Sequence, residues 1–183
     1  TGVASFVFGV DPEKVYSEMR RRAKVINFGI IYGMGVSALR KNLGKEVTRV
    51  EAQKFYDNYF NQFSGVSNYL ESVKAFAKKN SYTETLFGRK RYFKDINSRI
   101  PFLASMAERT AINAPVQGTA ADIIKLAILF VWQDLKNNDL LKDVNLLLQI
   151  HDELVFEIKE EALDKAIPII KEAMESVLSR SYL

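Results

Sequence analysis

Hydrophobic and polar positions follow a helical period over most of the chain. The pattern predicts a helix from about residue 17 to residue 32, ended by Gly33 and Gly35. Thr48 and Glu51 form a capping box, which predicts a helix to about residue 62. A further helix is predicted over 64–79, with Ser64 as its cap. The first hundred residues are therefore expected to be mainly helical.

Short strands and a proline divide the rest of the chain. Two strands are predicted at 82–86 and 91–93, with a turn at Gly88 between them. Because Pro115 disfavours helical geometry at Ala114, the pattern predicts two helices, about 101–113 and 119–136.

The last segment combines two apolar runs of strand length with a helix. The runs cover 144–150 and 154–158, and the polar triplet His151-Asp152-Glu153 separates them. A final helix is predicted from about 160 to 178. Since helices dominate and the sheet is small and antiparallel, the predicted fold class is α+β.

Composition excludes several classes of site. Apolar residues make up 48% of the 183-residue chain, charged residues 26%, and cysteine is absent. The lack of cysteine rules out a disulfide framework, a thiolate zinc site and a cysteine nucleophile. No uninterrupted apolar run approaches the ~20 residues of a membrane span, so no membrane partner is expected. Thr1–Ser5 has no basic residue, so no signal peptide is expected either.

Charge is distributed unevenly along the sequence. Residues 1–100 hold 18 Lys and Arg against 9 Asp and Glu, whereas residues 101–183 hold 8 against 13. A basic half favours a polyanionic partner, and an acidic half offers metal ligands. A solvated surface of uneven composition would produce the same balance.

The helix predicted at 17–32 carries a basic and aromatic stripe. Arg20, Lys24, Phe28 and Tyr32 lie four residues apart, a spacing that places them on one slanting face. Cations in the first turn of a helix oppose the helix dipole, so local stability of the helix does not explain them. They favour an anion-binding site instead. A nucleotide lying along the helix would suit this stripe. The alternative is a surface arginine cluster above two core aromatic residues.

Two further groups of polar residues are candidates for function. Arg109, Asn113 and Gln117 are again four apart, and such side chains donate to phosphates, sugars and base edges. The carboxylates of the His151-Asp152-Glu153 turn, held between buried strands, would suit Mg²⁺. Helix-surface polarity and an ordinary hairpin tip are the respective alternatives.

Three strings resemble signatures of the family A (DNA polymerase I-like) DNA polymerases, in the order of that family. Residues 20–34 read RRRAKVINFGIIYGM and resemble motif B, the O-helix of the fingers. Residues 107–125 read AERTAINAPVQGTAADIIK and resemble a second long signature. Residues 149–154 read QIHDEL and resemble motif C. The resemblance covers essentially the whole chain.

The resemblance implies an incomplete right-hand polymerase fold. Residues 1–100 would be mainly the fingers subdomain, with the O-helix at about 17–33. Residues 101–183 would be the later part of the palm, with helices that contact template and primer and with the catalytic turn. The implied activity is DNA-directed DNA synthesis, that is, transfer of a deoxynucleotide to a primer 3′ hydroxyl by a two-metal mechanism.

Roles at the nucleotide follow from the same resemblance. Arg20 and Lys24 would hold the incoming triphosphate, and Lys24 would also give a proton to the leaving pyrophosphate. Phe28 would pack on the sugar and base, and Tyr32 would lie beside the templating base. Phenylalanine at position 28 implies discrimination against dideoxynucleotides.

The remaining roles concern DNA and metal. Arg109, Asn113 and Gln117 would contact the primer–template, together with Gln149 and His151 at the primer terminus. Asp152 would be one of two catalytic aspartates that bind two Mg²⁺ ions, with Glu153 as an auxiliary carboxylate. The implied location is the cytoplasm, at a bacterial nucleoid or in a phage-infected cell, with an organelle as the alternative.

The sequence also departs from the family pattern. Motif A, a strand that reads Asp-Tyr-Ser-Gln-Ile-Glu-Leu-Arg in the family, is absent. The other catalytic aspartate, on which the second Mg²⁺ mostly depends, is therefore absent. The ribose-sensing glutamate is absent as well. The thumb and the final strand are absent too, and Gly35 replaces a common serine. The chain is therefore expected to be a fragment, inactive alone, that needs the upstream part as a partner.

Two other functional classes stay open at the level of sequence. A non-catalytic nucleic-acid-binding module would use the basic half without a complete metal site. A structural or interaction protein would keep only the fold. Lys24 and Asp152 favour the polymerase, because a module that only binds DNA needs neither a leaving-group cation nor a metal ligand.

Overall fold

The computed structural model describes residues 2–182, without the side chain of Tyr182. These residues form two compact units. The first unit contains the described residues up to Glu84 together with Gly88–Val116. The second contains Thr85–Phe87 and the described residues from Gln117 onward.

The first unit is built mainly of helices. Its elements are α1 (Gly2–Phe8), a 3-10 turn (Pro12–Lys14), α2 (Ser17–Ile31), α3 (Val36–Leu43), α4 (Arg49–Gln62), α5 (Ser64–Asn80), β1 (Tyr82–Glu84), β2 (Lys90–Tyr92) and the first part of α6, which begins at Pro101.

One hydrophobic cluster holds the first four helices together. Its buried members are Val7, Ile26, Ile30, Leu39, Leu43, Val47, Ala52 and Tyr59. Helix α2 contributes Ile26 and Ile30, and its other buried residues, Ala23 and Gly29, lie on the same side. Burial of a large aliphatic side chain contributes about 1.5–3 kcal/mol. Packing of this apolar side fixes α2 and leaves its opposite side free.

The starts of α4 and α5 differ in their caps. Thr48 Oγ1 accepts a hydrogen bond from the Glu51 backbone N–H, and the Glu51 carboxylate accepts one from the Thr48 backbone N–H, which confirms the capping box. The prediction that Ser64 caps α5 is wrong. Phe63 occupies the cap position without a side-chain hydrogen bond, and Ser64 is already helical, because a direct turn at Phe63 joins the two helices.

Helix α6 runs without a break from Pro101 to Asn137, through Pro115. The prediction of two helices separated at Ala114 is therefore wrong. Ala111 and Ala114 are buried against Ala77, Phe93 and Ile96, so close packing of small residues holds the helical path. Here tertiary packing outweighs the local preference of the residue before proline.

The second unit places a hairpin beside helices. Its elements are the rest of α6, β3 (Val144–Ile150), β4 (Glu153–Ile158), a 3-10 turn (Glu160–Ala162), α7 (Leu163–Glu175) and α8 (Val177–Tyr182). The predicted last helix is thus divided at Ser176 and starts with a 3-10 turn. Its buried cluster is Val131, Leu135, Leu140, Val144, Ala162, Ala166, Ile170 and Ala173.

Much apolar surface of the second unit is exposed. On β3 only Val144 is buried, and the six residues that follow it are exposed. The expectation that buried strands hold the turn is therefore not met within the described residues.

Helix α6 is also long and apolar enough to cross a membrane by length and composition, with 17% of its most apolar stretch buried. The search for a long apolar run did not find this helix, because charged residues such as Asp122 and Lys125 interrupt it. The average hydropathy of the helix stays high in spite of these scattered charges. Length and composition alone are weak support for a membrane span.

Candidate nucleotide- and metal-binding sites

The stripe on α2 lies on the exposed side of the helix. Arg20 and Lys24 are exposed, and Phe28 and Tyr32 are 46% and 45% exposed. The two rings are stacked, with centroids 6.4 Å apart and planes inclined by 16°. The alternative of two core aromatic residues is therefore wrong. Two parallel exposed rings offer a flat surface for a base or a sugar.

Carboxylates separate the four cations of α2 into two classes. The Glu18 carboxylate accepts hydrogen bonds from Arg21 at 2.8 and 2.6 Å and from Arg22 at 3.0 Å. Arg22 also pairs with Glu46 at 2.7 Å. The hydrogen bonds from Arg21 and then Arg22 lower the pKa of Glu18 from 4.5 to about 2, so these pairs stay charged at neutral pH.

Arg20 and Lys24 belong to the other class. Within residues 2–182, neither has an acidic side chain within 4.0 Å. Lys24 Nζ lies 5.8 Å from the centre of the Phe28 ring, close enough for a weak cation–π contact. The two unneutralised cations of the helix are thus the two that the family resemblance assigns to the triphosphate.

A cavity of about 580 Å³ opens beside these side chains. Its walls come from the start of α1 and from one side of α2. The lining residues are Gly2, Val3, Ala4, Arg20, Arg21, Ala23, Lys24, Asn27 and Phe28. The cavity combines cations at the early end of α2 with an aromatic ring one turn later.

Arg109 and Asn113 lie on the part of α6 that belongs to the first unit. Arg109 Nη1 donates to Ser105 Oγ at 2.6 Å, and Asn113 Nδ2 donates to the Arg109 carbonyl at 3.2 Å. Gly33 has φ +73°, and a Cβ on it would lie 3.0 Å from Arg109 Cγ. Glycine at the end of α2 therefore permits both the left-handed turn and the close approach of Arg109.

Gln117 is the first residue of the second unit on the same helix, and it is exposed. Its side chain makes no hydrogen bond with the described residues. It is therefore free to bind a ligand, whereas Arg109 and Asn113 already use donors within α6.

The carboxylate turn is a two-residue hairpin loop. Ile150 pairs with Glu153, so His151 and Asp152 form the loop. His151 has φ +54°, a left-handed conformation that is uncommon for residues other than glycine. Gln149 Nε2 donates to the His151 carbonyl at 2.8 Å, which ties the loop to its strand. The turn thus holds Asp152 and Glu153 at the exposed tip of the hairpin.

The donor chemistry of this turn suits a hard cation in part. The Asp152 carboxylate is exposed and has no hydrogen-bond or ion-pair partner among residues 2–182. Carboxylate oxygens are preferred ligands of Mg²⁺. Within the same residues, however, no three His, Asp or Glu side chains are grouped to hold a metal. The turn would supply part of a coordination shell and no more.

One contact of the cavity wall was not predicted from the sequence. Tyr59 of α4 donates its hydroxyl hydrogen to Asn27 Oδ1 at 2.8 Å, and Tyr59 is 2% exposed. Asn27 follows Arg20 by seven residues and therefore lies on the same side of α2. This spacing was visible in the sequence, whereas the partner on another helix was not.

Comparison with known proteins identifies the family. The family model for DNA polymerase family A matches residues 1–181. The chain belongs to DNA polymerase family A. The family predicted from the three sequence strings is confirmed.

Two bacterial proteins are among the relatives that this family A chain matches. DNA polymerase I of Pseudomonas aeruginosa is 46% identical over 93% of the chain and 18% of its own length. DNA polymerase I of Bacillus subtilis is 44% identical over 98% of the chain and 20% of its own length. The chain therefore spans about one fifth of the curated relatives that it matches.

A solved structure supports the fold of the family A chain. The POL domain of Pol1 from M. smegmatis, in complex with DNA primer–template and dNTP, matches with a TM-score of 0.88 and 39% identity. The match covers 96% of this chain and 30% of that domain. The predicted α+β class, as an incomplete part of a polymerase right hand, is thereby confirmed.

Proposed function

We propose that the chain is part of a DNA-directed DNA polymerase, with residues 1–100 mainly the fingers and residues 101–183 the later palm. The observation that carries this proposal is the exposed stripe of α2. Arg20 and Lys24 lack acidic partners among the described residues, and two stacked rings follow them. A deoxynucleoside triphosphate needs both a cationic site and a flat apolar site.

In the proposed reaction, the primer 3′ hydroxyl loses its proton to water, its oxygen bonds to the α-phosphorus of the incoming nucleotide, and the bond from that phosphorus to the oxygen bridging to the β-phosphate breaks. Pyrophosphate leaves. Arg20 and Lys24 stabilise the charge that builds on it, and Lys24 Nζ gives it a proton. Phe28 packs on the sugar and base, and Tyr32 lies beside the templating base.

Asp152 is the proposed metal ligand of the chain, and Glu153 is the auxiliary carboxylate. Bound Mg²⁺ would activate the attacking hydroxyl and neutralise charge on the phosphates. Because the turn supplies only part of a coordination shell, we propose that the second aspartate comes from motif A in an upstream part of the polymerase. Without that part, the chain is inactive.

The other proposed contacts are with DNA and with the rest of the enzyme. Gln117, Gln149 and His151 contact the primer–template, and Arg109 and Asn113 do so after exchanging their present hydrogen bonds. The exposed apolar residues of β3 are a surface for the upstream part, because apolar patches of this kind mark interfaces. We place the polymerase in the cytoplasm, at the bacterial nucleoid.

Replacing Phe28 with tyrosine tests the nucleotide site. In a polymerase that contains this chain, Phe28→Tyr should reduce discrimination against dideoxynucleotides about tenfold or more, because the added hydroxyl takes the place of the missing 3′ hydroxyl. Ordinary incorporation should stay close to normal. Competition between deoxy- and dideoxynucleotides measures the effect.

The matched control is Phe76→Tyr, which adds the same hydroxyl to a 38% exposed ring on α5. It should leave nucleotide choice unchanged. A thermal melt accompanies each variant. Unchanged selectivity of Phe28→Tyr with a lowered melting temperature would mean that the stripe is structural.

A further inference from the structure

We propose that Asn27 is a further nucleotide-positioning residue, held by Tyr59 so that its amide nitrogen donates to the sugar or α-phosphate end of the incoming nucleotide. This inference rests on the proposed function of the α2 stripe. Asn27 is neither cationic nor aromatic. Its buried contact with Tyr59 of α4 sets the direction of the amide N–H donor.

The position of Asn27 on the helix is the first argument. Seven residues turn an α-helix by about 700°, so Asn27 points within about 20° of the direction of Arg20. Along the axis it lies ~4.5 Å beyond Lys24 and ~1.5 Å before Phe28. Asn27 lines the same cavity as these three residues. Along the axis it therefore lies between the proposed phosphate site and the proposed sugar site, at the Arg20 edge of the stripe.

The hydrogen bond from Tyr59 is the second argument. Tyr59 Oη donates to Asn27 Oδ1 at 2.8 Å, and the Tyr59 ring is buried among Phe60 and Phe63, with centroids 5.7 and 5.0 Å away. Burial raises the pKa of Tyr59, so the phenol keeps its proton and stays a donor at neutral pH. The phenol O–H donates to the amide oxygen, and this hydrogen bond fixes the rotation of the planar amide.

The unused arm of the amide is the third argument. Asn27 Nδ2 makes no hydrogen bond with any residue from 2 to 182. In a planar amide the two arms diverge, so Nδ2 is directed away from the buried phenol. Because Asn27 is only half-buried and lines the cavity, this donor is available to an acceptor there. Sugar and phosphate oxygens of a nucleotide in the cavity are acceptors of the required kind.

Asn27 and its cationic neighbours bind different parts of the nucleotide. Arg20 and Lys24 act on the phosphates that leave as pyrophosphate. Asn27 acts on the part that is incorporated. Loss of the amide should therefore weaken binding of the whole nucleotide and leave binding of pyrophosphate unchanged.

The test is pre-steady-state incorporation of one nucleotide by a polymerase that contains this chain, with inhibition by inorganic pyrophosphate measured in parallel. Asn27→Ala should raise the nucleotide Kd about tenfold with pyrophosphate inhibition unchanged. Asn27→Asp should raise the nucleotide Kd about 100-fold, because it replaces the donor with a negative charge that repels the phosphates. Tyr59→Phe keeps the buried ring and should raise it about threefold, because the amide is then free to rotate.

Asn42→Ala is the matched control, since this exposed amide donates to the Ala38 carbonyl and to Met34 Sδ and does not line the cavity. It should change neither the nucleotide Kd nor the inhibition by pyrophosphate. If Asn27→Ala and Tyr59→Phe lower the melting temperature but leave the nucleotide Kd unchanged, the contact is structural and the inference fails. If Asn27→Ala weakens the binding of pyrophosphate as much as the binding of the nucleotide, the inference also fails.

Lys24→Ala distinguishes failure of this inference from failure of the proposed function. If Lys24→Ala weakens incorporation and Asn27→Ala does not, only the role of Asn27 is wrong. If neither change affects incorporation, the nucleotide site on α2 is wrong, and both proposals fail.

Discussion

Replacing Asp152 with alanine in a polymerase that contains this chain is expected to lower the single-turnover rate about 10³-fold or more. Asp152 is the exposed carboxylate of the hairpin loop that has no partner among residues 2–182. Metal-ion stabilisation of the transition state is worth several kcal/mol, and each ~1.4 kcal/mol is tenfold in rate. Binding of primer–template should stay nearly normal, because cationic and polar groups elsewhere hold the DNA.

The control is Glu157→Gln, a change at a carboxylate near the other end of the same hairpin, where Asn145 donates to it at 3.4 Å. Rapid-quench measurement of one incorporation, beside an anisotropy titration of labelled DNA, separates rate from binding. A near-normal rate for Asp152→Ala would show that the metal role assigned to the turn is wrong.

Replacing Lys24 with alanine should have the second largest effect. Lys24 has no acidic partner among the described residues, so its charge is available to the leaving pyrophosphate. Loss of such a group lowers the chemical rate about 10²- to 10³-fold and also weakens nucleotide binding. Both the maximal rate and the nucleotide Kd should therefore change in a single-turnover titration.

Arg21→Ala is the matched control. Arg21 is a neighbouring cation on α2 that is already paired with a carboxylate. Glu18 binds the Arg21 guanidinium through two hydrogen bonds, and Arg21 is expected to contribute little to the triphosphate. Its removal should change the rate less than about threefold. Equal losses for Lys24→Ala and Arg21→Ala would contradict the division of the α2 cations into two classes.

Local signals in the sequence predicted the elements that local interactions determine. The capping box of Thr48 and Glu51 placed the start of α4 within one residue. The glycines after Tyr32 marked the end of α2, where Gly33 takes a left-handed φ of +73°. Both signals act within a few residues, so a single sequence contains them.

Packing between distant residues accounts for the errors. Pro115 predicts a break, but Ala111 and Ala114 fit closely against Phe93 and Ile96, and α6 continues. Helix α1 was not predicted, because its seven residues carry no cap signal and its place depends on Val7 in the core. Such contacts cannot be read from neighbouring positions.

The candidate site shows the same division. Spacing of four placed Arg20, Lys24, Phe28 and Tyr32 on one face, and the resemblance to motif B assigned their roles. Pairing of Arg21 and Arg22 with Glu18 was visible at helical spacing, but Arg22 with Glu46 was not. The Tyr59–Asn27 hydrogen bond joins residues 32 positions apart and required the structure.

Primer extension by the chain, alone and completed with the upstream part that carries motif A, tests the central claim most directly. With Mg²⁺, all four deoxynucleotides and a primer–template, residues 1–183 alone should add no nucleotide, and the completed enzyme should extend the primer according to the template. Extension by the chain alone would contradict the need for a second aspartate. A completed enzyme that binds primer–template but extends no primer would contradict the polymerase function and leave a nucleic-acid-binding module.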